Sequence, residues 1–120
     1  MHIVFKLRRF WQIMVILGYN NERMSYIFDF SPEKNRRLKE ERNLSFEEII
    51  YEIEEGNLLD VLEHHNKSKY PNQKIYVMKI NNYIYLVPVI IDQKKIFLKT
   101  IIPSRKATRD YLKGDNDELR

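Results

Sequence analysis

Residues 74–91 read KIYVMKINNYIYLVPVII. Apolar and aromatic residues fill both sides of this run, and two asparagines sit at its centre. Ile75, Val77 and Lys79 share one face of an extended chain, and Tyr76, Met78 and Ile80 share the other, because strand side chains alternate. Asn81-Asn82 can adopt the positive φ angles of a two-residue hairpin turn. Tyr83 to Ile91 is then the returning strand. Its apolar richness suits a central position, while Pro88 lacks an N–H and argues for an edge or a bulge. A bulge reconciles the two.

The flanking segments extend the same pattern. On the C-terminal side, Asp92 to Lys95 turns the chain and Ile96 to Ile102 forms a further strand. Pro103-Ser104 breaks it and opens a helix from Ser104 to about Lys113. Gly114 to Arg120 is a polar acidic tail expected to fray. On the N-terminal side, Asn57 to Leu62 is a short strand, followed by the polar loop Lys67 to Gln73. Before it stands a well-specified helix. Ser45 and Glu48 form the S-x-x-E capping box, and Leu44 can staple to Ile49. Phe46, Ile49, Ile50 and Ile53 make one apolar face, and Gly56 ends the helix. A more polar helix, Pro32 to Arg42, precedes it, with Ser31 as N-cap and Asn43 as the left-handed stop. Tyr26 to Phe30 is a strand. Short connections favour antiparallel neighbours. The expected fold class is α+β: a small twisted antiparallel β-sheet with helices packed on one side.

Composition narrows the chemistry. The chain has 120 residues, enough for one domain with its own core. It has no cysteine, which excludes disulfides, Cys-based zinc sites and thiol nucleophiles. With 3 glycines there is no glycine-rich phosphate loop. Three histidines without an H-x-x-x-H spacing give no basis for a metal site. The net charge of +4 is unevenly spread: residues 24–60 carry −5 and residues 61–113 carry +8. A strongly basic half invites a polyanion, and nucleic acid is the usual one.

Residues 1–23 differ from the rest. Lys6, Arg8 and Arg9 precede the apolar stretch Phe10 to Leu17. This is too short to span a membrane and has no small-residue cleavage site after it. The domain is expected at 24–113, with 1–23 an extension preceding a natural start at Met24 and 114–120 a flexible tail.

The residues suited to chemistry lie in the basic half: His64, His65, Lys67, Lys69, Tyr70, Lys99, Arg105, Lys106 and Arg109, with Tyr83 and Tyr85. RNA cleavage by transesterification needs a base for the 2′-OH, a cation for the phosphate oxygens and an acid for the leaving 5′-oxygen. His, Lys, Arg and Tyr supply all three without metal or cofactor. The arginine fork matches phosphate geometry, and aromatic rings stack on splayed bases.

Two stretches carry a resemblance. FDFSPEKNRRLKEERNLSFEEII, residues 28–50, resembles the opening of BrnT-family toxins through Phe28, Pro32, Lys34, Leu44, Ser45, Phe46, Glu47 and Glu48. KTIIPSRKATRDYL, residues 99–112, is similar to that family's closing motif through Ile101, Ile102, Ser104, Arg105, Ala107 and Tyr111. The resemblance covers about residues 26–112. It implies a RelE/ParE-like fold and a cytoplasmic type II toxin that cleaves RNA and is neutralised by a DNA-binding protein antitoxin from an adjacent gene. Arg105 takes the place of the family's closing arginine. The family's K-H-G histidine is replaced by Arg42, its glycine by Asn43, and its W-D pair by Phe30-Ser31.

The expectation is therefore a metal-independent endoribonuclease toxin. Arg105 and Lys99 hold the scissile phosphate, His64 or His65 is the acid or base, and Lys67, Lys69, Tyr70, Lys106 and Arg109 bind RNA. Two rivals stand beside it. One is a catalytically inert module that pairs with a DNA-binding partner. The other is a membrane-surface protein held by residues 1–23.

Overall fold

The computed structural model describes the backbone of residues 2–5 and 26–118 and the side chains of residues 26–112. The proposed start at Met24, the apolar stretch Phe10 to Leu17 and the last two residues lie outside the described residues.

Each helix begins where its capping residue stands. Ser31 Oγ accepts from Lys34 N at 3.2 Å and opens α1, Pro32–Arg42. Asn43 stops it with φ 55°. Ser45 Oγ accepts from Glu48 N at 3.1 Å and opens α2, Phe46–Glu54. Gly56, at φ 89°, follows its end; a left-handed backbone there costs glycine nothing. A third helix, α3, runs Arg105–Glu118. It continues through Gly114, further than the expected end near Lys113.

The strands are β1 His2–Phe5, β2 Tyr26–Phe30, β3 Leu58–Glu63, β4 Gln73–Ile80, β5 Tyr83–Asp92, β6 Lys95–Leu98 and β7 Ile102–Pro103. They form one sheet in the order β1-β2-β6-β5-β4-β3, with β7 also beside β5. The β4–β5 hairpin is its longest pairing, in unbroken register from Gln73↔Ile90 to Ile80↔Tyr83. Asn81 and Asn82 take φ 51° and 63°, the double positive value of the tight hairpin turn.

Three expectations need correction. First, the sheet is not wholly antiparallel: β2 pairs with β6 in parallel, Phe28 opposite Ile96. The long excursion through α1, α2 and three strands lets the two run the same way, which a short connection would forbid. Second, the single strand 96–102 is two strands. From Val89↔Leu98 to Leu86↔Ile102 the partner chain uses one residue more than β5 does. The extra residue lies opposite Pro88, whose carbonyl accepts from Lys99 N at 2.9 Å. The irregularity invoked for Pro88 thus sits in the neighbouring chain, where the missing N–H has no ladder to serve. Third, the helices take both faces. Tyr76, Met78, Ile80, Val87 and Val89 pack with Phe46, Ile49, Ile50 and Ile53 of α2 and Leu38 of α1. Val77 and Ile84, of opposite parity in the same strands, pack with Leu112 and Ala107 of α3.

Asn35 locks α1 to α2. It is 4% exposed, accepts from Phe46 N at 2.8 Å, and donates to Glu47 Oε1 at 2.8 Å. A buried amide satisfied on both sides fixes the angle between the helices and, through α1, the position of Arg42. No described helix is long and apolar enough to cross a membrane.

Candidate nucleic-acid interface

The basic half of the chain folds into two separate groups. The first is the segment from β6 through β7 to the start of α3, which the end of α1 reaches by one bond. Ile101 is fully buried and anchors the segment between β6 and β7. Arg42, in the last turn of α1, donates from Nη1 to Ile101 O at 3.3 Å. A cation at a helix C-terminus is favoured by the dipole, so Arg42 is stable in this place before any ligand arrives. The Lys99 backbone is tied to Pro88, two residues before Ile101. Arg105 follows Ile101 by four residues, a reach of at most ~14 Å of extended chain.

The start of α3 is bolted to β5. Ser104 N donates to Ile84 O at 3.0 Å, and Ser104 Oγ caps Ala107 N at 3.0 Å. Thr108 Oγ1 accepts from Ile84 N at 2.9 Å and donates to Ser104 O at 2.7 Å. These bonds hold the first turn of α3 rigid and present Arg105, Lys106 and Arg109 outward, all exposed. Arg109 Nε lies 3.6 Å from Asp110 Oδ1, a solvated pair. Among the described residues no carboxylate pairs with Lys99, Arg105 or Lys106. Cations in the first turn of a helix oppose its dipole, and among the described residues Arg105 and Lys106 have no carboxylate that offsets this.

The second group is the loop between β3 and β4. His64 and His65 stack with ring centroids 4.3 Å apart, and His64 meets Tyr70 at 4.7 Å. Lys69 Nζ lies 5.3 Å from the Tyr70 ring centre, within cation–π range. Asn66 organises the turn: its side-chain oxygen accepts from Lys69 N at 3.4 Å and its carbonyl from Tyr70 N at 3.0 Å. Asn66 N donates to His64 Nδ1 at 3.0 Å. That bond uses the Nδ1 lone pair, so neutral His64 carries its proton on Nε2 and presents a donor to solvent. Glu63, the nearest carboxylate in the chain, is bound by Lys74 Nζ at 2.6 and 2.7 Å. The Lys74 bond holds the Glu63 carboxyl below its ordinary range.

The two groups do not meet. The loop leaves the sheet level with Lys74 and Val89, and α3 begins level with Ile84. Five residue rises separate those levels, ~17 Å, and three strand spacings add ~14 Å sideways. The expected partnership of Arg105 with His64 or His65 around one phosphate is therefore not built. Lys99 and Arg105 lie two residues before and four residues after Ile101, whose carbonyl accepts the Arg42 bond. Tyr83 and Tyr85 form an edge-on pair at 5.6 Å at the start of β5, where Tyr85 faces Pro103 of β7.

One bond was not foreseen from the sequence. Tyr111 Oη donates to Asp60 Oδ2 at 2.9 Å and ties α3 to β3. Burial, then the bond to Asp60 and its charge, raise the Tyr111 hydroxyl above its ordinary value of 10.0. Among the described residues no three His, Asp or Glu side chains gather as a metal site would require. No protein-family model, curated protein or solved structure matches the chain.

Proposed function

We propose that this protein is a metal-independent endoribonuclease, the toxin of a type II pair, with its phosphate-binding site at the Arg42–Lys99–Arg105 seam. The observation that carries this reading is the bond from Arg42 to the Ile101 carbonyl, across 59 positions of sequence. It joins the two stretches on which the resemblance to the BrnT family rests. Arg42 stands where that family has its histidine, and Arg105 where it has its arginine.

The chemistry follows from what the seam offers. A guanidinium pair can take the two non-bridging oxygens of a phosphodiester and stabilise the charge that grows there as the 2′-oxygen attacks phosphorus. As the 2′-oxygen attacks, its proton passes to water; the 2′,3′-cyclic phosphate forms and the bond to the 5′-oxygen breaks, that oxygen leaving with a proton. The Lys99 ammonium is the donor in reach of the same segment. A protein antitoxin covering the exposed cations of α3 would block the site.

The test is direct. Expression of the full chain without its neighbouring gene should arrest growth and fragment total RNA, and Arg105→Ala should relieve both. Full toxicity of Arg105→Ala would remove Arg105 from the site. A second reading has its own support. The two histidines lie at the far end of the sheet, and the bonded Nδ1 of His64 is no base. An inert module that pairs with a DNA-binding partner needs neither. RNA left intact while the partner is still bound would favour it.

A further inference from the structure

We propose that the His65–His64–Tyr70 ring column is a nucleobase-stacking platform, a second RNA contact well apart from the arginine seam. The inference rests on the ribonuclease reading for its choice of ligand, and it gives the loop a role distinct from acid–base chemistry.

Three observations carry it. The rings are already assembled: His65 on His64 at 4.3 Å and 27°, and His64 against Tyr70 at 4.7 Å and 48°. His65 is exposed while His64 and Tyr70 are half-buried, so the column has a supported base and a free outer face. Such a face accepts any base, because every base has a π-face. The turn beneath is pre-ordered by Asn66, so little entropy is lost when a base arrives.

Charge selects the ligand. Lys69 lies over the Tyr70 ring, and Lys67 stands exposed in the same loop. Glu63, which would repel a phosphate, is neutralised by the two short bonds from Lys74. A ring stack beside cations, with its neighbouring carboxylate silenced, fits a single strand whose base stacks while its phosphates lie along the lysines. The distance to the seam, ~20 Å or more, corresponds to about six nucleotides at the ~3.4 Å spacing of a stacked strand. The platform would thus set a minimum length for tight binding and leave the cut at the other end.

The experiment uses the full chain and a 12-nucleotide 2′-O-methyl oligouridine, which has no 2′-OH to attack, read by fluorescence anisotropy. His65→Ala should weaken binding about tenfold, and His65→Phe should restore it, since the ring and not the imidazole is required. Substituting Lys67 and Lys69 together by alanine should lower the salt slope by about 1.4, near 0.7 per phosphate contact. Equal binding by wild type and His65→Ala, with RNA cleavage still dependent on Arg105, would overturn the platform and leave the ribonuclease reading intact. Failure of the wild-type chain to bind the oligonucleotide, or equal competition by a polyglutamate peptide, would overturn the RNA assignment of the loop. His65 is exposed, and thermal melts of each variant should match wild type, so a loss of binding reads on the contact.

Discussion

Arg42 stands in the last turn of α1 and reaches across the sequence to the Ile101 carbonyl. Its part-buried bond to Ile101 is worth about 1–2 kcal/mol to stability. On the proposed ribonuclease reading its value lies in phosphate binding: Arg42→Ala should slow RNA cleavage about a hundredfold, as loss of one charge-stabilising donor does, while shifting the urea midpoint little. Arg42→Lys should restore only part, because the fork is lost with the guanidinium. The place of Arg42 at the end of a helix was legible in the sequence. Its reach to the Ile101 carbonyl was not, because a contact across 59 residues depends on how α1 is tilted. The histidine pair shows the opposite failure. Two adjacent imidazoles in a basic half look like acid–base groups on residue type alone, and only the fold places them a sheet's length from the arginines. Tyr111 offers a pH test. A raised folded value favours the neutral hydroxyl, so its contribution is complete below pH 10 and is lost as pH rises through the folded value. Between pH 9 and 11 the wild-type chain should lose more stability than Tyr111→Phe, followed by chemical denaturation.

At the scale of elements, the capping residues were the most readable part of the chain. Ser31, Asn43, Ser45, Gly56 and the Asn81-Asn82 turn all sit where local chemistry puts them, since each effect operates within four residues of sequence. Asn82→Val should cost about 1–2 kcal/mol, because a β-branched residue resists the left-handed backbone that Asn82 adopts at φ 63°. The measurement is the thermal midpoint, and an unchanged value would show that the turn relaxes. The α1–α2 junction is a non-local counterpart. Asn35 reads as one more polar residue on a polar helix, yet it is buried and caps Phe46 N. Asn35→Ala should destabilise the chain by about 1–3 kcal/mol through the unpaired donor. Glu47 is part of the same lock. Burial acts to raise its carboxyl, but the bonds from Asn35 and its own backbone, with the Lys39 charge, outweigh burial and hold it low. Its contribution is present above the ordinary value near 4.5 and lost as pH falls through the folded value. The division of the last strand was hidden for a related reason. Residues 95–103 are continuously strand-like, and only the register against Pro88 shows the extra residue between β6 and β7.

For the molecule as a whole, the uneven charge acquires a geometry. Within residues 61–113, Lys67 and Lys69 of the β3–β4 loop and Arg105, Lys106 and Arg109 of the α3 start bring positive charge to two separate places on one sheet, while α2 carries Glu47, Glu48, Glu52 and Glu54 with no basic residue. The sheet itself was legible strand by strand, but its order was not. Periodicity shows that a segment is extended and says nothing about which distant strand lies beside it. The parallel pairing of β2 with β6 is the case in point, and it has a bearing on how the protein is made. Phe28 emerges from the ribosome 68 residues before its neighbour Ile96. At the usual ~5–20 residues per second, the aromatic strand waits roughly 3–14 s for the chain that will flank it. Through that interval β2 lacks its parallel neighbour. Whatever binds it then, whether a chaperone or a partner made from a nearby message, meets Tyr26, Phe28 and Phe30 before the arginine seam exists at all.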